Sequence, residues 1–272
     1  MAIRAVLFDL FDTLVDLDMA GLPRVKVGDR EFPTTAGALH AHVAARAPLS
    51  LEDFVAALYA TDEALRTERY GAGRELPTLE RFQALAERLE LTDPDLPRLL
   101  TETHMALLRG QVGLLGHHAP LLAELGRRLR LGVCSNFSHS QTALAILEEA
   151  GLRWHLDAVL VSDAIGYRKP RPEIFTAALS ALGTAPEETL HVGDSLRADV
   201  AGAAALGIRT AWITRCVRDP AKALAEHEGP RPDLVVADLA ELAEHLADGE
   251  PLAREGVSLP PGTQECPPSQ QK

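Results

Sequence analysis

Short apolar runs recur along the chain, each closed by polar turn residues and followed by a stretch with helical spacing. The runs cover 5–8, 131–134, 158–161, 190–192, 210–213 and 234–236, and between them 119–129, 141–150, 172–182 and 198–206 are rich in Ala and Leu. Strands alternating with helices predict a parallel sheet with helices on both faces. Near-continuous apolar strands, rather than alternating ones, fit burial on both sides. Residues 37–113 break this rhythm and read as helices only, over 38–45, 51–69, 78–89 and 96–108, separated by Pro and Gly. Ser50, followed by Glu52 and Asp53, is an N-cap with acids in the first turn. A hairpin is expected over 24–32, around the Gly28-Asp29 turn.

The predicted architecture is therefore an α/β, Rossmann-like parallel-sheet core, 1–16 and 114–248, interrupted by a hairpin and an all-helical cap over 17–113. From 249 to 272 the Pro-, Gln- and Ser-rich text offers too little apolar surface to offset ordering, so a disordered tail is expected. There is no internal repeat.

Composition narrows the partners. With 27 Lys plus Arg against 39 Asp plus Glu, the formal net charge is -12, which repels nucleic acid and anionic lipid. A small anionic substrate then needs a local cationic pocket. Three scattered cysteines, Cys134, Cys216 and Cys266, show no metal or disulfide spacing. No apolar run is long enough to span a bilayer, and the N-terminus lacks a secretory pattern, so a cytoplasmic protein is expected. Nothing in the residues fixes an oligomeric state.

Ligands of open parallel sheets bind beyond the carboxyl ends of the strands. The residues found there are Asp9 to Leu14 after the first run, Ser135-Asn136 after the second, Lys169-Pro170 beyond the third, and Gly193-Asp194-Ser195 with Asp199 after the fourth. Carboxylates, a hydroxyl and one ammonium thus converge on one sheet edge. Asp9, Asp194 and Asp199 cannot all ionise cheaply together, and Lys169 offsets only one of them. A hard cation with oxygen ligands, such as Mg²⁺, resolves the excess.

The segments VLFDLFDTLVD, CSN, RKPRPEIF and HVGDSLRADVAGA, in this order, resemble the four motifs of the haloacid dehalogenase superfamily, and the helical insertion resembles its cap. The resemblance implies that Asp9 is a covalent nucleophile, that Ser135 holds the transferred group, and that Lys169 neutralises developing charge. It implies Mg²⁺ bound by Asp9, Asp194 and the Phe11 carbonyl, with Asp199 supporting the site and Thr13 fixing the nucleophile loop. Asn136 and Phe11 are expected to meet substrate. Among the basic and aromatic residues of the insertion (Arg66, Arg69, Tyr70, Arg74, Arg81), Arg66 and Arg69 are expected to contact its anionic group.

One position departs from the pattern. Phosphatases of the superfamily usually carry a second Asp, the general acid and base, two residues after the nucleophile; here Phe11 stands there. Losing a general acid costs roughly a hundred- to ten-thousand-fold in rate, least where the leaving group needs no proton. The sequence favours Mg²⁺-dependent hydrolysis of a small phosphorylated metabolite. A metal-independent 2-haloacid dehalogenase and a binding or regulatory protein with weakened catalysis stay open. His117-His118 reads as a solvated loop, His139 as a helix-start residue and His191 as a packed strand residue.

Overall fold

A computed structural model of the chain describes residues 2–247, so the expected disordered tail, Cys266 included, lies outside the described residues. The chain forms two compact units, one running to Asp16 and resuming at Gly113, the other spanning Leu17–Val112.

The first unit is built on a six-stranded sheet: β1 (Ala5–Phe8), β2 (Arg130–Ser135), β3 (Ala158–Val161), β4 (Thr189–Gly193), β5 (Arg209–Ile213) and β6 (Leu234–Val236). All pairs are parallel and the spatial order is β6-β5-β4-β1-β2-β3. β1 lies at the point where the order reverses, and its four residues are all fully buried. Having a strand on either side and helices above and below, it has no solvated face for a polar residue. The helix Pro172–Leu182 starts with Pro and stops at Gly183, whose φ of +63° is the left-handed cap that glycine favours. Its Phe175, Ala178 and Leu182 pack with Ala5, Leu7 and Cys134. Burial lifts the Cys134 thiol to about 12, so it stays protonated and packs as an apolar group.

Register places the chemistry. Phe8 is level with Val133 on one side and Val192 on the other. The next residues up, Asp9, Cys134 and Gly193, therefore stand at the same height, and the Asp9 N–H extends the ladder by donating to Val192 O at 2.8 Å.

The helix predicted over 198–206 differs from expectation. It is a wide π-type turn over Leu196–Ala201, followed by the short helix Gly202–Ala204. The widening turns Asp199 back over Gly193, where an added Cβ would meet the Asp199 Cγ at 2.3 Å. Only glycine admits that approach, so a buried carboxylate displaces the regular helical pattern. The helix predicted over 119–129 is shorter, His118–Leu125, and stops before Gly126.

The second unit holds the hairpin Arg24–Val27 and Arg30–Pro33, joined at Gly28 with φ +59°. Its helices are Ala36–Ala44, Leu51–Gly71, Thr78–Arg88 and Leu96–Arg109. Ser50 Oγ accepts the Asp53 N–H at 3.1 Å, the predicted cap. Leu39, Phe54, Phe82, Leu85, Leu96 and Leu100 form the unit's own core. Beside it, Arg81 grips Asp62 with two hydrogen bonds, at 2.5 and 2.7 Å, and both side chains are largely out of water. No described helix is long and apolar enough to cross a membrane.

Removing one partner of a pair like this leaves an uncompensated charge, at about 3–5 kcal/mol when fully buried. Arg81→Met is expected to lower the urea midpoint of the helical unit, and Arg81→Met with Asp62→Asn to recover part of that loss. Equal midpoints for the single variant and the parent would show that the pair contributes nothing.

Candidate active site

Asp9 is 9% exposed and its Oδ1 accepts the Leu10 N–H at 2.7 Å and faces Lys169 Nζ at 2.9 Å. Oδ2 accepts no hydrogen bond among the described residues, which leaves it as the oxygen open to a reactant. The loop after it reverses at Asp12, whose φ of +57° lies in the left-handed region that Asp tolerates better than most residues. Backbone bonds close the loop, from Asp12 N–H to Val15 O at 2.6 Å and Leu14 N–H to Leu10 O at 2.9 Å.

Lys169 Nζ lies 2.6 Å from Asp199 Oδ1 as well, and the peptide that follows Lys169 is cis. Burial opposes the charge on both side chains. For the lysine, Asp199 and Asp9 outweigh it and hold the ammonium above its usual range. For Asp199, Lys169 and then His191 outweigh it and hold the carboxyl below the usual range. The pair is therefore a fixed zwitterion, with Asp9 drawing on the same cation.

Asn136 was expected to meet substrate, and the structure gives its amide another task. Its Oδ1 accepts the Lys169 N–H at 2.7 Å and its Nδ2 donates to Lys169 O at 3.0 Å. Both ends of the amide are taken up in clamping the lysine backbone. Thr13 also differs from expectation. Its buried Oγ1 has no hydrogen-bond partner among the described residues, so backbone bonds, not this hydroxyl, hold the nucleophile loop. Ser135 Oγ is equally buried and equally unpartnered. Leaving such a group unsatisfied costs about 1–3 kcal/mol, which a bound polar group would remove.

Asp199 is fully engaged by protein groups. Besides Lys169, Oδ1 accepts from His191 Nε2 at 2.8 Å, and Oδ2 accepts the Ser195 N–H at 3.0 Å. His191 is buried in β4, stacked edge-on against Phe175 at 5.1 Å. The packed strand residue expected from the sequence, it also holds Asp199, a partner that spacing alone could not name. The Asp194 carbonyl is pinned by Trp212 Nε1 at 2.7 Å. Asp9, Asp194 and Asp199 each offer a carboxylate oxygen, and the three atoms lie within 4.8 Å of one another. Three oxygen donors so close, against a single ammonium, suit a hard divalent cation.

Phe11, 7% exposed, meets Phe137 edge-on with ring centroids 4.8 Å apart. Sequence reading overlooked Phe137, though it directly follows Asn136. In the helical unit, exposed Arg66 lies over the Tyr70 ring at 5.9 Å, and Arg69 pairs with Glu80 at 2.7 Å. Both remain only expected substrate contacts.

A family model described as haloacid dehalogenase-like hydrolase matches residues 3–207. The chain belongs to this family. A pyrimidine 5'-nucleotidase of Escherichia coli is 30% identical over 61% of this chain and 69% of its own length. A phosphoserine phosphatase of Thermus thermophilus is 44% identical, over 36% of this chain and only 37% of that protein, so the match spans about a third of that relative. Among solved structures, a 2-haloacid dehalogenase of Pseudomonas syringae aligns at a TM-score of 0.64 and 24% identity, covering 90% of this chain and 99% of its own. At that identity the likeness establishes the haloacid dehalogenase fold. Proteins named as phosphatases and as dehalogenases both stand among the similar chains.

If Asn136 acts through Lys169, Asn136→Ala should lower kcat by roughly ten- to a hundredfold, in line with loss of a supporting shell, while KM changes little. A rise in KM at constant kcat would return Asn136 to direct substrate contact.

Proposed function

We propose that this haloacid dehalogenase-like hydrolase is a Mg²⁺-assisted phosphatase acting through Asp9 on small phosphorylated metabolites whose leaving group departs without a proton. The observation that carries the reading is the set of three carboxylates with oxygens within 4.8 Å of one another, two of them sharing one ammonium. Asp9, Asp194 and the Phe11 carbonyl would hold the cation. Because its oxygens already accept from Lys169, His191 and the Ser195 N–H, Asp199 would serve to fix the lysine. When bound, Mg²⁺ would supply positive charge that offsets the carboxylates and the charge of the phosphate.

In this reading the Asp9 carboxylate attacks phosphorus, the bond from phosphorus to the leaving oxygen breaks, and an acyl phosphate forms on Asp9. Water then attacks phosphorus and restores the carboxylate. The Ser135 hydroxyl donates to the transferred group, and Lys169 offsets the charge developing on it. No side chain at Phe11 can protonate a departing alkoxide. Acyl and aryl phosphates leave as stabilised anions, and the Phe11–Phe137 edge gives an apolar neighbour for such a group.

Phe11 also favours a second reading. Halide needs no proton either, and attack of Asp9 on the carbon of a 2-haloacid would expel it and leave an ester for water to cleave. Retention of Asp194 beside Asp9 and Asp199 speaks for the phosphatase. A binding or regulatory protein has little use for so costly an acidic cluster.

An assay of the purified chain on aryl, acyl and alkyl phosphates and on 2-haloacids, with Mg²⁺ or EDTA, separates these readings. Phosphate release that EDTA abolishes is expected, whereas halide release indifferent to EDTA would replace it with the dehalogenase. Activity on neither panel would favour the binding protein. Phe11→Asp is expected to raise turnover of alkyl phosphates by up to about a hundredfold or more; an unchanged rate would mean that another group already supplies the proton.

A further inference from the structure

Away from Asp9, the first unit gathers a second polar group for which the hydrolytic chemistry has no use. His117 directly precedes the helix His118–Leu125, which His118 opens, and Asp238 precedes the helix Leu239–Ala247. The solvated loop expected at His117-His118 is corrected here, because the His118 side chain is fully buried. Its Nδ1 lies 2.9 Å from the Leu14 carbonyl oxygen, which can only accept. Nδ1 therefore donates to it, and Nε2 is the ring nitrogen turned toward Asp238.

That Nε2 has no hydrogen-bond partner among the described residues and faces Asp238 Oδ2 at 3.7 Å. At 3.7 Å the two atoms are beyond hydrogen-bond reach. On the other side of the same carboxylate, His117 Nε2 lies 2.9 Å from Asp238 Oδ1, and His117 is half exposed.

We propose that His117, His118 and Asp238 form a binding site for a divalent transition metal of the zinc class, distinct from the carboxylate cluster around Asp9. One atom from each of the three lies within 4.8 Å of the others. Zinc takes His nitrogen and carboxylate oxygen at about 2.0–2.2 Å in tetrahedral array, which puts neighbouring ligands about 3.4 Å apart. The two ring nitrogens stand 2.9 Å from Oδ1 and 3.7 Å from Oδ2 of Asp238, each near a different oxygen of the carboxylate. A carbonyl accepting the far N–H of a histidine is the outer-shell arrangement that orients such a ligand. Here the carbonyl belongs to Leu14, so the metal would brace the loop that follows the nucleophile. Arg215 Nε stands 3.7 Å from Asp238 Oδ2, and the same guanidinium pairs more closely with Asp16 at 2.5 Å. The half-exposed rim at His117 admits water as a fourth ligand.

The test uses the full chain without an affinity tag, stripped with EDTA, dialysed and titrated with Zn²⁺, or with Co²⁺ as a visible probe, in excess Mg²⁺ to fill the all-oxygen cluster. About one equivalent is expected to bind and to raise Tm, as any ligand of the native state does. Affinity should fall at least tenfold in His118→Gln and in Asp238→Asn and be unchanged in Asp194→Asn. Should His118→Gln fail to fold, His117→Ala, altering a half-exposed side chain, serves in its place. No Zn²⁺ bound by the parent chain, affinity unchanged in the His117, His118 and Asp238 variants, or binding abolished by Asp194→Asn would each overturn the site.

Discussion

A single buried ammonium, Lys169, shared between Asp9 and Asp199, is the constraint on which the rest of the first unit depends. Removing three charges from water is expensive unless each is paired at close range. The surrounding architecture supplies that pairing. The parallel register sets Asp9 level with Gly193 at the end of its strand. The missing side chain at Gly193 lets Asp199 fold over the strand end, and the π-type turn gives it the direction to do so. Asn136 holds the lysine backbone from one side, and His191 steadies Asp199 from beneath. What results is a carboxylate at the tip of the central strand with one oxygen anchored and the other open.

Much of this was legible in the chain. The apolar runs located the six strands because a sheet buried on both faces leaves no room for polar alternation, and the strand β1 shows this most plainly. Pro172 and Gly183 bounded their helix by fixed backbone preferences, and Ser50 bounded another by hydrogen bonding. Asp9, Lys169, Asp194 and Asp199 were legible as a set because strand ends in such a sheet share one edge. The roles of Asn136 and Thr13 were not, since each depends on which way a short side chain turns. Nor was Asp238 beside His117, because no local pattern announces a contact spanning 121 positions.

The same physics frames the activity. An open carboxylate held beside a fixed cation is suited to form a covalent bond with an electrophile, phosphorus or carbon, and the family's hydrolases include proteins named for each. In the proposed reading the aromatic pair of Phe11 and Phe137 limits what can leave, because it offers shape and low polarity but no proton. In that same reading Asp194 favours phosphorus, since a third carboxylate beside Asp9 is costly unless a cation is shared with the substrate.

The central claim is that the open oxygen of Asp9 becomes bonded to the reacting group. It is tested most directly by acid-quenching the enzyme during turnover of an acyl or aryl phosphate and weighing its peptides by mass spectrometry. A phosphoryl group on the peptide that carries Asp9, absent when that residue is Asn, is the predicted result. Turnover at full rate with that peptide unmodified at every time point would contradict it.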